Sequence, residues 1–224
     1  MGEYVTLTAG DGQQFGAYVA RTVREPLASL VVIQEIFGVN AHIRAVADSY
    51  ASDGYFTVAP ALFDRIEPGI ELGYEPSDMQ RAMGLFPRID MEKSVLDVAA
   101  ALDYTAETTQ RKVGIVGFCF GGTLAWLAAT RLHPAAAVGY YGGRIGNYAG
   151  EKLNAPVMLH FGKKDAHIPA SEVEKIHTAH PEVEIYWYEN AGHAFNRDIG
   201  PGYNAVAAVE ARRRTLGFLQ RHLA

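Results

Sequence analysis

The sequence predicts an α/β layer fold: a mostly parallel central sheet of about eight strands with helices on both faces. Three observations predict it. Strand-length apolar runs alternate with helical patterns from residue 27 to the end of the chain, the signature of βαβ construction. Most of those runs are apolar throughout instead of alternating, as strands covered on both faces are. The helical pattern following Val113–Phe118, TLAWLAATRL, is apolar on nearly all sides, as suits a helix packed centrally against a sheet.

Each element follows in order. Met1 to Thr8 and Gln13 to Ala20 are short, partly alternating segments joined by Ala9-Gly10-Asp11-Gly12, which reads as an N-terminal β-hairpin. The strands expected after it are Leu27 to Gln34, Tyr55 to Pro60, Val113 to Phe118, Ala135 to Tyr141, Pro156 to Phe161 and Val183 to Tyr188. Helices are expected over Ala41 to Ser52, Pro76 to Phe86, Met91 to Tyr104, Thr123 to Leu132, Ala170 to Ala179 and Asn204 to His222. Ala61 to Pro76, with Pro68, Gly69, Gly73 and Pro76, reads as a loop over the carboxyl edge of the sheet. It is too short for a separate cap domain.

With 224 residues, 49% hydrophobic and 20% charged, residues 1–224 read as one domain with a sizeable core. A net charge of -5 gives no draw toward nucleic acid or an anionic membrane, and Arg212 to Arg214 read as the wet face of the last helix. The N-terminal segment shows no secretory pattern, and no apolar run is long enough to span a bilayer. The single cysteine forms no internal disulfide and is best kept reduced, so the cytoplasm is the expected address.

That cysteine, Cys119, lies in VGIVGFCFGG, where an apolar strand breaks at glycine and an apolar helix begins. A lone cysteine is usually a small buried hydrophobe. Here G-x-C-x-G is the thiol version of the strained strand-to-helix elbow that presents a nucleophile at a strand tip. In that architecture an acid and then a base follow on loops leaving later strands. The loop after Pro156 to Phe161, GKKDAHIP, offers Asp165 as its only carboxylate; its other role would be a cap for the next helix. The loop after Val183 to Tyr188, ENAGHAFNR, offers His193. Seven other histidines compete: His42, His133, His177, His180 and His222 fall on helices or their ends, His160 within a strand, and His167 beside Asp165. Only His193 has both the order and the loop setting that the elbow architecture asks for. No zinc-ligand spacing is present, the glycine run lacks a P-loop lysine, and no metal or cofactor is expected.

Together QEIFG at 34–38, GFCFGG, the aspartate loop and GHAF at 192–195 resemble the dienelactone hydrolase family, cysteine-dependent members of the α/β-hydrolase fold, over essentially the whole chain. The resemblance implies catalytic roles for Cys119, Asp165 and His193. It also implies that Glu35 restrains the thiol in the empty enzyme and helps remove its proton once substrate displaces the carboxylate. Physically, a carboxylate beside a thiol opposes formation of the attacking thiolate; the plainer role for Glu35 is a helix cap or solvated acid. The amides of Ile36 and Phe120 are the expected oxyanion donors. Family members grip a substrate carboxylate with arginines, which suits Arg197 and, second, Arg81, with Arg88 a rival. The expected activity is hydrolysis of a lactone or small ester through a thioester, by a monomer or at most a weak homodimer. Other readings are an esterase or thioesterase of the same fold, or a non-catalytic ligand-binding or thiol-sensing protein.

Overall fold

The structure, a computed structural model, describes residues 2–224; Met1, the first residue of the expected hairpin, lies outside them. The strands are β1 (Glu3–Thr8), β2 (Gln14–Ala20), β3 (Ala28–Ile33), β4 (Tyr55–Pro60), β5 (Val113–Phe118), β6 (Ala136–Tyr140), β7 (Val157–Gly162) and β8 (Glu184–Tyr188). They form one sheet in the order β1-β2-β4-β3-β5-β6-β7-β8. The helices are α1 (Ala41–Ser52), α2 (Pro76–Leu85), α3 (Met91–Thr109), α4 (Phe120–Arg131), α5 (Ala170–Ala179) and α6 (Ala205–Leu223). The chain divides into two compact units, Met1–Ile115 and Val116–Ala224, the boundary falling inside β5.

In the first unit β1 and β2 form the expected hairpin, with Glu3 opposite Val19 and Thr8 opposite Gln14. β2 runs antiparallel to β4, and β3 parallel to β4. β3 and β4 are buried along their whole length, which is why their sequences lack polar alternation. The Asn40 side chain caps α1 by accepting the Ile43 N–H, and Asp90 caps α3 by accepting from Glu92 and Lys93; each satisfies donors the helix start leaves open. α3 continues to Thr109, five residues past its expected end, because β-branched and small residues keep its inner face buried through Thr105. α2 yields at Phe86-Pro87-Arg88 to a 3₁₀ turn.

The loop from Ala61 to Pro76 is held against the turn that follows β3. Gln34 Oε1 accepts the Leu62 N–H, while its amide donates to the Glu35 carbonyl. Leu72 N–H donates to Phe37 O, and Asn40 Nδ2 donates to Leu72 O. Gly38 bridges to Glu71.

In the second unit β6, β7 and β8 run parallel. α4 is buried from Phe120 through Thr130, the all-round burial its sequence implied, and it begins at Phe120, three residues earlier than expected. α6 joins the strands through a buried polar chain. His160 Nδ1 lies 2.9 Å from Tyr188 Oη, its Nε2 lies 3.0 Å from Thr215 Oγ1, and Tyr140 Oη lies 2.7 Å from Thr215 Oγ1. Burial, with Arg214 nearby, pushes the His160 imidazole down to about 3, so the ring is a neutral structural member.

Candidate active site

The site is built from three loops at the carboxyl ends of β5, β7 and β8. β5 ends at Phe118, and Cys119 takes φ 54° and ψ -115° before α4 starts. A non-glycine residue at positive φ is strained. The turn is held by its backbone bonds: Cys119 N–H donates to Tyr140 O at 2.9 Å, and Gly122 N–H to Cys119 O at 2.9 Å. It also needs Gly117, where a Cβ would fall 1.8 Å from the Gly121 carbonyl oxygen. The sulfur is partly exposed at the N-terminal end of a twelve-residue buried helix, where the helix dipole favours negative charge.

The loops that carry Asp165 and His193 are fixed to each other. Lys163 N–H donates to Tyr188 O and Lys164 N–H to Ala191 O. The approach is close enough that a Cβ on Gly162 would fall 2.4 Å from the Ala191 carbonyl oxygen. Asp165 is fully buried at its side chain; Oδ1 accepts the His167 N–H at 2.9 Å and Oδ2 lies 2.7 Å from His193 Nδ1. Pro169 occupies the cap position of α5, while the bond from the His167 N–H makes Asp165 a turn residue as well. His193 Nε2 lies 3.2 Å from Cys119 Sγ. Burial works against charge on His193, yet the hydrogen bond to Asp165, the bond and charge of Cys119, and the charge of Asp165 prevail. They push the imidazole up to about 10, which favours its protonated form.

Strained backbone gathers around the site. Besides Cys119, Tyr141 has φ 40° and Ala194, directly after His193, has φ 59°. The Tyr141 ring packs 5.1 Å from His193, and His167 meets His193 edge to face at 5.3 Å with 82° between planes. From the sequence His167 is only a neighbour of Asp165, and Tyr141 only the last residue of a strand pattern. Proximity between two loops leaves no trace in spacing along the chain.

The remaining predicted residues sit as follows. Glu35 follows β3 with 1% exposure, and Asn40 fills the cap position of α1, so Glu35 is neither a solvated acid nor a helix cap. Ile36 is half-buried in the same turn. Phe120 is the first residue of α4. Arg197 is buried, with Nε donating to Ile199 O at 2.9 Å. Arg81 lies on α2 in an exposed ion pair with Glu67 at 2.5 Å, and Arg88 is exposed on the following turn. Among the described residues no cluster of three or more His, Cys, Asp or Glu could hold a metal ion. No helix among them is long and apolar enough to cross a membrane.

An eight-stranded, mostly parallel sheet with a strand–elbow–helix turn at β5 defines a hydrolase of the α/β-hydrolase fold. Residues 15–223 match the Dienelactone hydrolase family. The carboxymethylenebutenolidase of Pseudomonas putida is 37% identical, with 97% of this chain and 95% of that protein aligned. Carboxymethylenebutenolidase 1 of Cupriavidus pinatubonensis is 33% identical over 96% of this chain and 95% of its own. A crystal structure from Klebsiella pneumoniae, of a protein provisionally named a dienelactone hydrolase, superposes with a TM-score of 0.83 at 30% identity, covering 97% of this chain and 99% of the other. The chain belongs to the dienelactone hydrolase family and is an enzyme that hydrolyses ester or lactone bonds.

Proposed function

We propose that this enzyme opens a lactone, or cleaves a small ester, through a thioester on Cys119, and that its preferred substrates carry a carboxylate, as a carboxymethylene-substituted butenolide does. The observation that carries the reading is the continuous relay from sulfur to imidazole to carboxylate, at 3.2 and 2.7 Å. These are the contacts required of a nucleophile, its base and the group that orients the base.

The steps follow from those contacts. The Cys119 thiolate attacks the carbonyl carbon, forming a C–S bond and an oxyanion. The backbone N–H groups of Phe120 and Ile36 are proposed to hold that oxyanion: Phe120 opens a buried helix and Ile36 turns away from the end of β3, the two positions from which such donors come. Collapse breaks the C–O bond, and the protonated His193 gives its proton to the departing oxygen, which in a lactone stays tethered. The sulfur has then lost its charge, so part of what held the proton on His193 is gone. The neutral ring can take a proton from water, which attacks the thioester carbon. The second collapse breaks C–S, releasing a carboxylic acid and restoring the thiolate.

Glu35 is proposed to restrain the thiol in the empty enzyme; it follows β3 and is buried. Arg197, four residues after His193 and buried, is proposed to bind the substrate carboxylate. Arg81 could join only by leaving Glu67. No cofactor is required by these steps. A single thiol that must stay reduced fits work in the cytoplasm, and one chain supplies every proposed group, which fits a monomer.

The test is turnover of lactones and aryl esters, with and without a carboxylate, by wild type and Cys119→Ala. The variant is expected to lose turnover, and wild type to prefer the acidic substrates. Wild-type rates from Cys119→Ala would refute the nucleophile assignment. Indifference to the carboxylate would remove the assignment of Arg197.

A further inference from the structure

The relay has a second imidazole beside it that none of the proposed steps uses. His167 is exposed, lies two residues after Asp165, and donates its backbone N–H to Asp165 Oδ1 at 2.9 Å. Its ring meets the His193 ring edge to face with centroids 5.3 Å apart, within the range of favourable aromatic pairs. One residue therefore touches both members of the acid–base pair, the acid through its main chain and the base through its ring.

We propose that His167 is a positioning residue for His193: its ring fixes the catalytic imidazole edge-on, and the charge on that ring sets how readily His193 keeps a proton. This rests on the functional reading above, in which His193 is the base. The physical reason is distance. Two cationic rings at this separation repel across a partly solvated gap, and Coulomb's law at a dielectric between that of water and half of it gives an effect on the order of half to one pH unit on His193.

The charged and titratable groups around the pair are placed so that this contact is the direct one. Asp165 and Cys119 flank His193 on its two nitrogens, and Tyr141 packs on its ring. On the loop of His167 itself, Lys163 is occupied by Glu189 and Lys164 is exposed. The loop after β6 comes near Ile168, since a Cβ added at Gly143 would fall 3.9 Å from its Cγ1; the charged residue of that loop, Arg144, is exposed. At the start of α5, Glu172 accepts the Gly146 N–H at 3.4 Å.

The experiment is an NMR titration of the His193 imidazole in the full chain, for wild type, His167→Lys, His167→Glu and His167→Phe. An exposed position should accept all three without loss of the fold. The Lys variant is expected to lower the midpoint of His193, and the Glu variant to raise it, each by on the order of half to one unit relative to Phe. A second readout compares His167→Ala with His167→Phe: the loss of the ring should lower kcat with KM little changed, and the Phe ring should restore it. Coincident His193 midpoints in the Lys and Glu variants would overturn the electrostatic role, and equal kcat in the Ala and Phe variants would overturn the bracing role. The titration needs no turnover, so its failure is distinct from failure of the hydrolase reading, which Cys119→Ala decides.

Discussion

Replacing Asp165 with Asn is the sharpest test of the relay, because the structure dictates what the amide must do. The carboxylate accepts on both oxygens, from the His167 N–H at 2.9 Å and from His193 Nδ1 at 2.7 Å, and its side chain has no access to solvent. An amide offers one acceptor and one donor group. If its oxygen keeps the His167 N–H, its NH₂ faces Nδ1 and forces the proton onto Nε2, the atom that must accept one from thiol or water. If it flips, its NH₂ meets the N–H of His167, leaving buried donors unsatisfied at about 1–3 kcal/mol. Either outcome also removes a charge-assisted hydrogen bond worth about 1.5–3 kcal/mol, or roughly one to two units of proton affinity. His193, held at about 10 in the wild type, should therefore titrate nearer to neutrality. Loss of a correctly protonated base should lower kcat/KM by roughly 10²- to 10⁴-fold. The assay is kcat/KM for an aryl ester across pH, paired with the pH dependence of Cys119 alkylation, whose basic limb should move to lower pH. Activity within about tenfold of wild type, far short of the expected loss, together with an unmoved alkylation profile, would refute the assignment of Asp165 as the group that holds the base.

Two further outcomes are expected. If Glu35 restrains the thiol as proposed, Glu35→Gln should make the thiol of the empty enzyme on the order of tenfold more reactive toward iodoacetamide, the size expected for loss of one carboxylate charge; unchanged alkylation across the pH range would remove the restraining role. The buried His160, held down to about 3, makes stability depend on acid. The unfolded chain takes up a proton near 6.5 and the folded one does not until near 3, so stability is full above that upper value and falls as pH drops through the window. Between pH 6.5 and 4 the loss from this group approaches about 3 kcal/mol. Urea unfolding of wild type and His160→Gln at several pH values measures it; parallel pH dependence of the two would contradict the buried neutral ring.

The fold was largely legible because its signals are local. β4, β5, α1 and α5 begin and end where the apolar runs and helical patterns do, since a strand covered on both faces must be apolar throughout and Asn40 marks where α1 starts. The misplaced ends have physical causes. α4 starts at Phe120 because the elbow at Cys119 passes straight into helix, with Gly121 and Gly122 inside its first turn. α3 outruns its pattern because its last turns are held by tertiary burial that reaches Thr105. The loops that carry Cys119, Asp165 and His193 were readable, as was the glycine need at the elbow.

The sequence by itself determined which side chains could do acyl chemistry and on which loops they lie, because backbone preference and burial act over a few residues. Only the tertiary structure decided that loops 46 and 74 residues from Cys119 along the chain put a carboxylate and an imidazole in line with its sulfur. It alone set His167 and Tyr141 against that imidazole and buried Glu35. Those relations arise from how β5, β7 and β8 deliver their ends to one edge of the sheet, a matter of packing across long separations that no local pattern encodes.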